Sequence, residues 1–277
     1  MKLSMMTYTM ARGLAKGETF DVPALCKFCN ELKIDGVDWV SLYGHDPKLV
    51  RKVMDDHGLR TVCHTVMCDF SAPTAAERAP QYDTFKKGIE AAGILGTDKV
   101  MLPLRGRKDQ SREDSYKHDV QGLRDVIGIA EKAGVTVMIE NFPAASGPFI
   151  TSAEVNRAVA DVPQLRLTFD NGNVTTGGED PYASFKNSAR WVLHSHFKDF
   201  AVCPPDAPGA SLNLDGKYRR AVLVGDGDVD QLGGLRAMKE CGYNGYINFE
   251  YEGREYTPRD ATIEGARRIR SWIAGLG

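Results

Sequence analysis

Four apolar runs of strand length each close on a residue that can bind a divalent cation. They end at Glu140, at Asp170, in the cluster His194-Ser195-His196, and at Glu250. Asp170 lies 30 residues past Glu140, His196 lies 26 past Asp170, and Glu250 lies 54 past His196. The first two steps have the length of one strand–helix unit; the third is one unit plus a long loop. Three carboxylates and one imidazole make a hard, oxygen-rich donor set, which suits Mn²⁺ or Mg²⁺ better than a structural Zn²⁺. Four protein ligands leave positions for two substrate oxygens, so a hydroxyketone could chelate through its carbonyl and adjacent hydroxyl. A Lewis acid there would stabilise a developing enediolate.

The elements that must position these residues alternate along the whole chain. Strand-like runs fall at 2–8, 36–42, 59–67, 99–104, 135–140, 165–170, 191–197 and 246–250. Helical patterns follow them at 22–32, 47–57, 74–95, 111–133, 151–160, 181–188, 228–240 and 258–273. Asp46, Ser111 and Thr151 are placed as N-caps, Thr151 with Glu154 as a capping box; Gly58, Gly96 and Gly134 stand at helix ends. Eight such units in 277 residues predict one domain, 1–277, folded as a (β/α)8 TIM barrel. An open doubly wound sheet would carry a glycine fingerprint after the first strand, and residues 11–17 do not match one. In a barrel the C-terminal strand ends share one face, so the four ligand-type residues would converge. Two loops on that face, 69–80 and 198–227, are long enough to predict lids or binding loops.

Composition narrows the function class. With 42% hydrophobic and 26% charged residues and a net charge of −2, the chain reads as a globular small-molecule protein without the basic footprint of a nucleic-acid binder. Six scattered cysteines predict reduced thiols and a cytoplasmic setting, and Cys26 and Cys29 sit in a helical pattern where packing explains them. No apolar run approaches the ~20 residues of a membrane span. The N-terminus reads as a first strand, not as a signal peptide.

In order, Gly134-Val135-Thr136-Val137-Met138-Ile139-Glu140-Asn141, Phe169-Asp170-Asn171-Gly172-Asn173, His194-Ser195-His196-Phe197-Lys198-Asp199, Gly225-Asp226-Gly227-Asp228-Val229-Asp230 and Phe249-Glu250 resemble the xylose-isomerase-like barrel superfamily, also called the sugar phosphate isomerase/epimerase family. The resemblance spans most of the chain, and the ordered combination is specific where no single piece is. It implies one divalent metal, Mn²⁺ first and Mg²⁺, Co²⁺ or Zn²⁺ in some members, held by Glu140, Asp170, His196 and Glu250. It also implies that Glu140 and Glu250 transfer protons on opposite faces of the substrate carbon. Barrels of this family are often dimers or tetramers, so a homo-oligomer is expected.

His64, at the end of the third strand, reads as substrate-binding or structural, and Lys198 as a contact to a substrate hydroxyl or carboxylate or a surface lysine. Trp39 reads as a sugar-stacking wall or a core residue, and Asn173 as a substrate contact or a turn residue. Arg105 and Arg107 would read an anionic group or lie solvated at the surface. His194 is expected to face the helices, with only His196 turned to the interior.

The superfamily's three-metal abasic-site endonucleases need a histidine at the end of the fourth strand and an Asp-x-His after the seventh; this chain has neither, and Asn173 stands where they have another histidine. The expected activity is therefore a metal-dependent isomerisation or epimerisation of a keto-sugar or related hydroxyketone through an enediolate. A metal-dependent dehydratase or lyase on a cyclitol or keto-sugar is the alternative, and a non-catalytic sugar-binding barrel a further one. The absence of a phosphate-binding glycine motif predicts a substrate without phosphate.

Overall fold

A computed structural model describes residues 1–276. Its strands are β1 (Lys2–Met6), β2 (Gly36–Val40), β3 (Arg60–Thr65), β4 (Lys99–Leu102), β5 (Thr136–Glu140), β6 (Arg166–Asp170), β7 (Val192–Phe197), β8 (Asp199–Val202), β9 (Ser211–Leu212), β10 (Tyr218–Val222) and β11 (Tyr246–Phe249). The helices are α1 (Thr7–Ala11), α2 (Val22–Glu31), α3 (Pro47–Asp56), α4 (Ala75–Leu95), α5 (Arg112–Lys132), α6 (Ser152–Asp161), α7 (Asn173–Thr176), α8 (Pro181–Ser188), α9 (Gln231–Glu240) and α10 (Pro258–Gly275). Eight parallel strands close in the order β1-β11-β7-β6-β5-β4-β3-β2, with the helices around them. This is the expected single-domain TIM barrel.

Strand alternation divides the core in two. Met6, Val40, Cys63, Met101 and Met138 fill the barrel interior. Their neighbours on each strand, such as Met5, Trp39, Val100 and Val137, belong to the larger cluster formed with the helices. Caps fix where the helices begin. Asp46, Ser111 and Thr151 each accept a hydrogen bond from an amide of the first turn, and Thr151 and Glu154 form the expected capping box. Cys26 and Cys29 are buried in α2, as packing residues should be.

Two expected loops are corrected. A second capping box, Thr74 with Glu77, starts α4 at Ala75, so half of the 69–80 segment is helix. The 198–227 segment is not an open lid: β8, β10 and β9 form a separate antiparallel sheet. The carboxylate of Asp199 anchors that sheet, accepting hydrogen bonds from the amides of Gly225 at 2.7 Å and of Gly227 and Val229 at 3.2 Å. Gly227 is required by this closeness, since a Cβ there would lie 2.3 Å from Asp199 Oδ1 and 2.5 Å from Phe200 O. The first strand also ends at Met6, two residues early, because α1 begins at Thr7.

Candidate metal centre

Glu140 and Asp170 are the last residues of β5 and β6, His196 lies in β7 opposite Asp170, and Glu250 follows β11 directly. All four are buried, and one ligand atom from each falls within 4.8 Å of the others. His196 Nδ1 is 2.7 Å from Glu140 Oε1 and 3.7 Å from Glu250 Oε2. Neighbouring amides hold the carboxylates in place. The Asn141 side chain bridges both backbone groups of Asp170, at 2.8 Å each, and so ties the end of β5 to that of β6. Asp170 Oδ1 accepts hydrogen bonds from the amides of Gly172 and Asn173, both at 2.8 Å. Its other oxygen, Oδ2, and Glu250 Oε2 are buried and accept no hydrogen bond. Buried carboxylate oxygens need a cation or a donor, and the Lys198 ammonium approaches both as an ion pair. Two of them facing one imidazole and a third carboxylate form a donor set that fits a divalent cation.

Lys198 enters this cluster. Its Nζ is 3.1 Å from Glu250 Oε2, 3.4 Å from Asp170 Oδ2 and 3.7 Å from Glu252 Oε2. Its backbone is clamped by Asn171 Oδ1, which accepts from the Lys198 amide at 3.3 Å, and by Gln231 Nε2, which donates to the Lys198 carbonyl at 3.0 Å. Gly172 lets the lysine pass, as a Cβ there would lie 2.7 Å from Lys198 Cγ. Burial opposes the lysine's charge, but Asp170, Glu250, Glu252 and Glu140 outweigh it and hold its pKa well above the usual range. Burial pushes Glu250 up to about 8 and Asp170 to about 6, with the Lys198 charge pulling both back.

Behind the cluster stands Asp38, fully buried in β2. His194 Nε2 lies 3.0 Å and His196 Nε2 3.2 Å from its Oδ2, while Thr65 Oγ1 donates to Oδ1 at 3.2 Å. Burial works against its charge, yet the hydrogen bonds from His194 and His196 outweigh it and hold its carboxyl well below the usual range. The expectation that His194 faces the helices is corrected: residues two apart on a strand share a face, so both rings turn inward. Sequence reasoning missed Asp38 because it lies within a strand, not at its end. The available signal was an acid in the otherwise apolar run Gly36–Val40.

The mouth above the cluster is a cavity of ≈240 Å³ walled by Met6, Val40, Met101 and Phe142 and reached by Glu140 and Glu250. Apolar walls lower the local dielectric and strengthen charge interactions inside. Arg105 also lines it, its guanidinium 4.8 Å from the Phe142 ring centre; Arg107 instead pairs with Asp109 at the surface. Two expected substrate contacts are corrected by strand alternation. Trp39 is fully buried on the helix side of β2, edge-on to Phe20, and His64 points the same way from β3, its Nδ1 2.9 Å from the Trp39 carbonyl. Asn173 is buried beside Asp170, where its amide serves the turn and its side chain makes no hydrogen bond.

Residues 26–272 match the family model described as xylose isomerase-like TIM barrel. An inosose dehydratase of Lacticaseibacillus casei is 27% identical over 232 residues, covering 78% of this chain and 77% of that protein. Among solved structures, an L-ribulose 3-epimerase superposes with a TM-score of 0.80 at 16% identity, covering 99% of this chain and 95% of that one. The IOLI protein, solved with a bound zinc atom, gives a TM-score of 0.79 at 20% identity over 99% of both chains.

Proposed function

We propose, because this chain belongs to the xylose isomerase-like TIM barrel family, that it is a divalent-metal-dependent enzyme that moves a proton at the carbon beside the ketone of a keto-sugar or related hydroxyketone. The observation that carries this reading is the convergence of Glu140, Asp170, His196 and Glu250 around two buried carboxylate oxygens that no hydrogen bond satisfies. These four residues would hold the ion, with Mn²⁺ as first choice and Mg²⁺, Co²⁺ or Zn²⁺ as alternatives. Bound there, it would supply Lewis acidity to the substrate's ketone and adjacent hydroxyl.

The protein's own groups do the proton work. Glu140 and Glu250 come from strands separated by β6 and β7, so they reach the cavity from two sides. One removes the α-proton to give an enediolate and the other returns a proton to the opposite face, the arrangement an epimerisation or isomerisation needs. Asp170 and its amide donors fix the geometry, and the apolar walls keep water from competing for the proton.

A second reading is dehydration: the same proton abstraction followed by loss of a β-hydroxyl as water. Relatives named inosose dehydratase favour it, as does Lys198, a buried ammonium 3.1 Å from Glu250 that could protonate the leaving oxygen. Incubation of ketose and inosose candidates with the enzyme in D₂O, followed by NMR, separates the two. Deuterium at the α-carbon with the skeleton retained supports epimerisation, and an enone or diketone supports dehydration. No exchange and no turnover across the panel would sink both.

A further inference from the structure

A second cavity, of ≈300 Å³, lies beside the barrel mouth, lined by residues from the small antiparallel sheet, the end of α1 and the segment after β11. Its charged and amide groups are Arg12, Arg219, Arg220, Arg254, Asn213 and the pair Glu252 and Glu255. Glu252 also lines the mouth of the candidate metal centre, so the two cavities share a wall.

The charges around this cavity do not cancel. Arg219 is held bidentately by Asp215 at 2.7 and 2.8 Å, and Arg220 pairs with Glu255. Glu252 faces Lys198 at 3.7 Å. Glu255 and Asp215 therefore each have an arginine, while Glu252 shares Lys198 with Asp170 and Glu250. Among the described residues Arg12 and Arg254 have no carboxylate partner; Arg12 Nη2 donates only to the Gly253 carbonyl, at 3.0 Å, which fixes the guanidinium and leaves its other N–H groups free. Asn213 is 9% exposed, and its Nδ2 is buried without an acceptor. Two guanidinium groups without a carboxylate partner and an amide donor without an acceptor thus line one concavity. Guanidinium forks match the oxygens of a carboxylate or phosphate.

We infer that this cavity is a subsite for an anionic group, carboxylate or phosphate, carried at the far end of a substrate whose ketone end reaches the candidate metal centre. The second half of that statement rests on the proposed function; binding of the anion does not. A phosphate there would also overturn the expectation of an unphosphorylated substrate.

The test is calorimetric titration of the wild-type protein and of an Arg12→Gln/Arg254→Gln variant with D-glucuronate, D-glucose 6-phosphate and D-glucose as probes. Both arginines are exposed, so the variant should fold; an unchanged thermal midpoint and metal content confirm it. At least one acidic sugar should bind the wild type about tenfold or more tightly than glucose, a difference of about 1.4 kcal/mol, and the variant should lose that preference. Whichever acidic sugar binds better identifies the group. Equal binding of all three sugars, or a preference that survives in the variant, would overturn the subsite. If the preference holds but proton exchange in D₂O fails, the proposed reaction falls and the subsite stands; the converse removes the subsite alone.

Discussion

His196 has a carboxylate at each ring nitrogen, Glu140 at Nδ1 and Asp38 at Nε2. A histidine that ligates a metal commonly gives its other N–H to a carboxylate, which fixes the ring and raises its basicity. Asp38 is therefore cast as the positioning residue. Asp38→Asn should weaken Mn²⁺ binding by about 10–100-fold, the usual cost of losing such a partner; competition with a fluorescent chelator measures it, and an undiminished affinity would remove Asp38 from the account. Glu250→Gln should slow α-proton exchange in D₂O by roughly 10²–10⁴-fold, the span of general acid–base catalysis. Exchange at the wild-type rate would show that Glu250 moves no proton. At this scale the sequence exposed the residues that end strands and concealed the one inside a strand. Trp39 and His64 stayed open between substrate contact and structural role because distance from a strand end says nothing about face; Asp38 and Thr65, one position away from them, are the ones turned to the interior.

Between elements, the decisive join is β7 to β8. Lys198 sits between them, clamped by Asn171 and Gln231, and Asp199 begins a sheet whose return segment it gathers through the amides of Gly225, Gly227 and Val229. The two glycine-containing motifs, Gly225-Asp226-Gly227 and Asn171-Gly172, are thus parts of one scaffold around the lysine. Gly227→Ala should cost about 1–3 kcal/mol, the usual penalty for forcing a methyl into a packed site; chemical denaturation reads this, and an unchanged midpoint would mean that the sheet shifts freely. Strand and helix order was legible because hydrophobic period and caps are local signals. The small sheet was not, since β9 has two residues and β8 pairs with β10 across a long connection, Asp199 with Val222. The start of α4 was legible as well, at the Thr74 cap with Glu77, despite Pro80 inside the helix.

At the scale of the whole molecule, one buried acid outside the site bears on stability. Asp119 on α5 is fully buried and neither oxygen makes a hydrogen bond of normal geometry. Burial, with Asp69 adding to it, pushes its carboxyl well above 3.8, and Arg78 and the Phe70 amide offset only part. Its folded pKa thus exceeds its unfolded value, so between the two the folded state holds more protons and stability falls as pH rises. Asp119→Asn should stabilise the fold at neutral pH by about 1–3 kcal/mol, because the amide carries no charge to bury, with the gain shrinking as pH drops toward 4. Parallel melting curves for the two proteins from pH 4 to 8 would contradict this. Among the described residues no helix is long and apolar enough to cross a membrane. The barrel brings four side chains from distant parts of the chain to one point, and whether that point is a metal site decides the account. The most direct measurement is metal content by mass spectrometry after Mn²⁺ loading and desalting, for the wild type, Glu140→Gln and His196→Ala. A four-ligand site requires one ion per chain in the wild type and a marked loss in both variants, each still folded by circular dichroism; equal metal content in all three would rule it out.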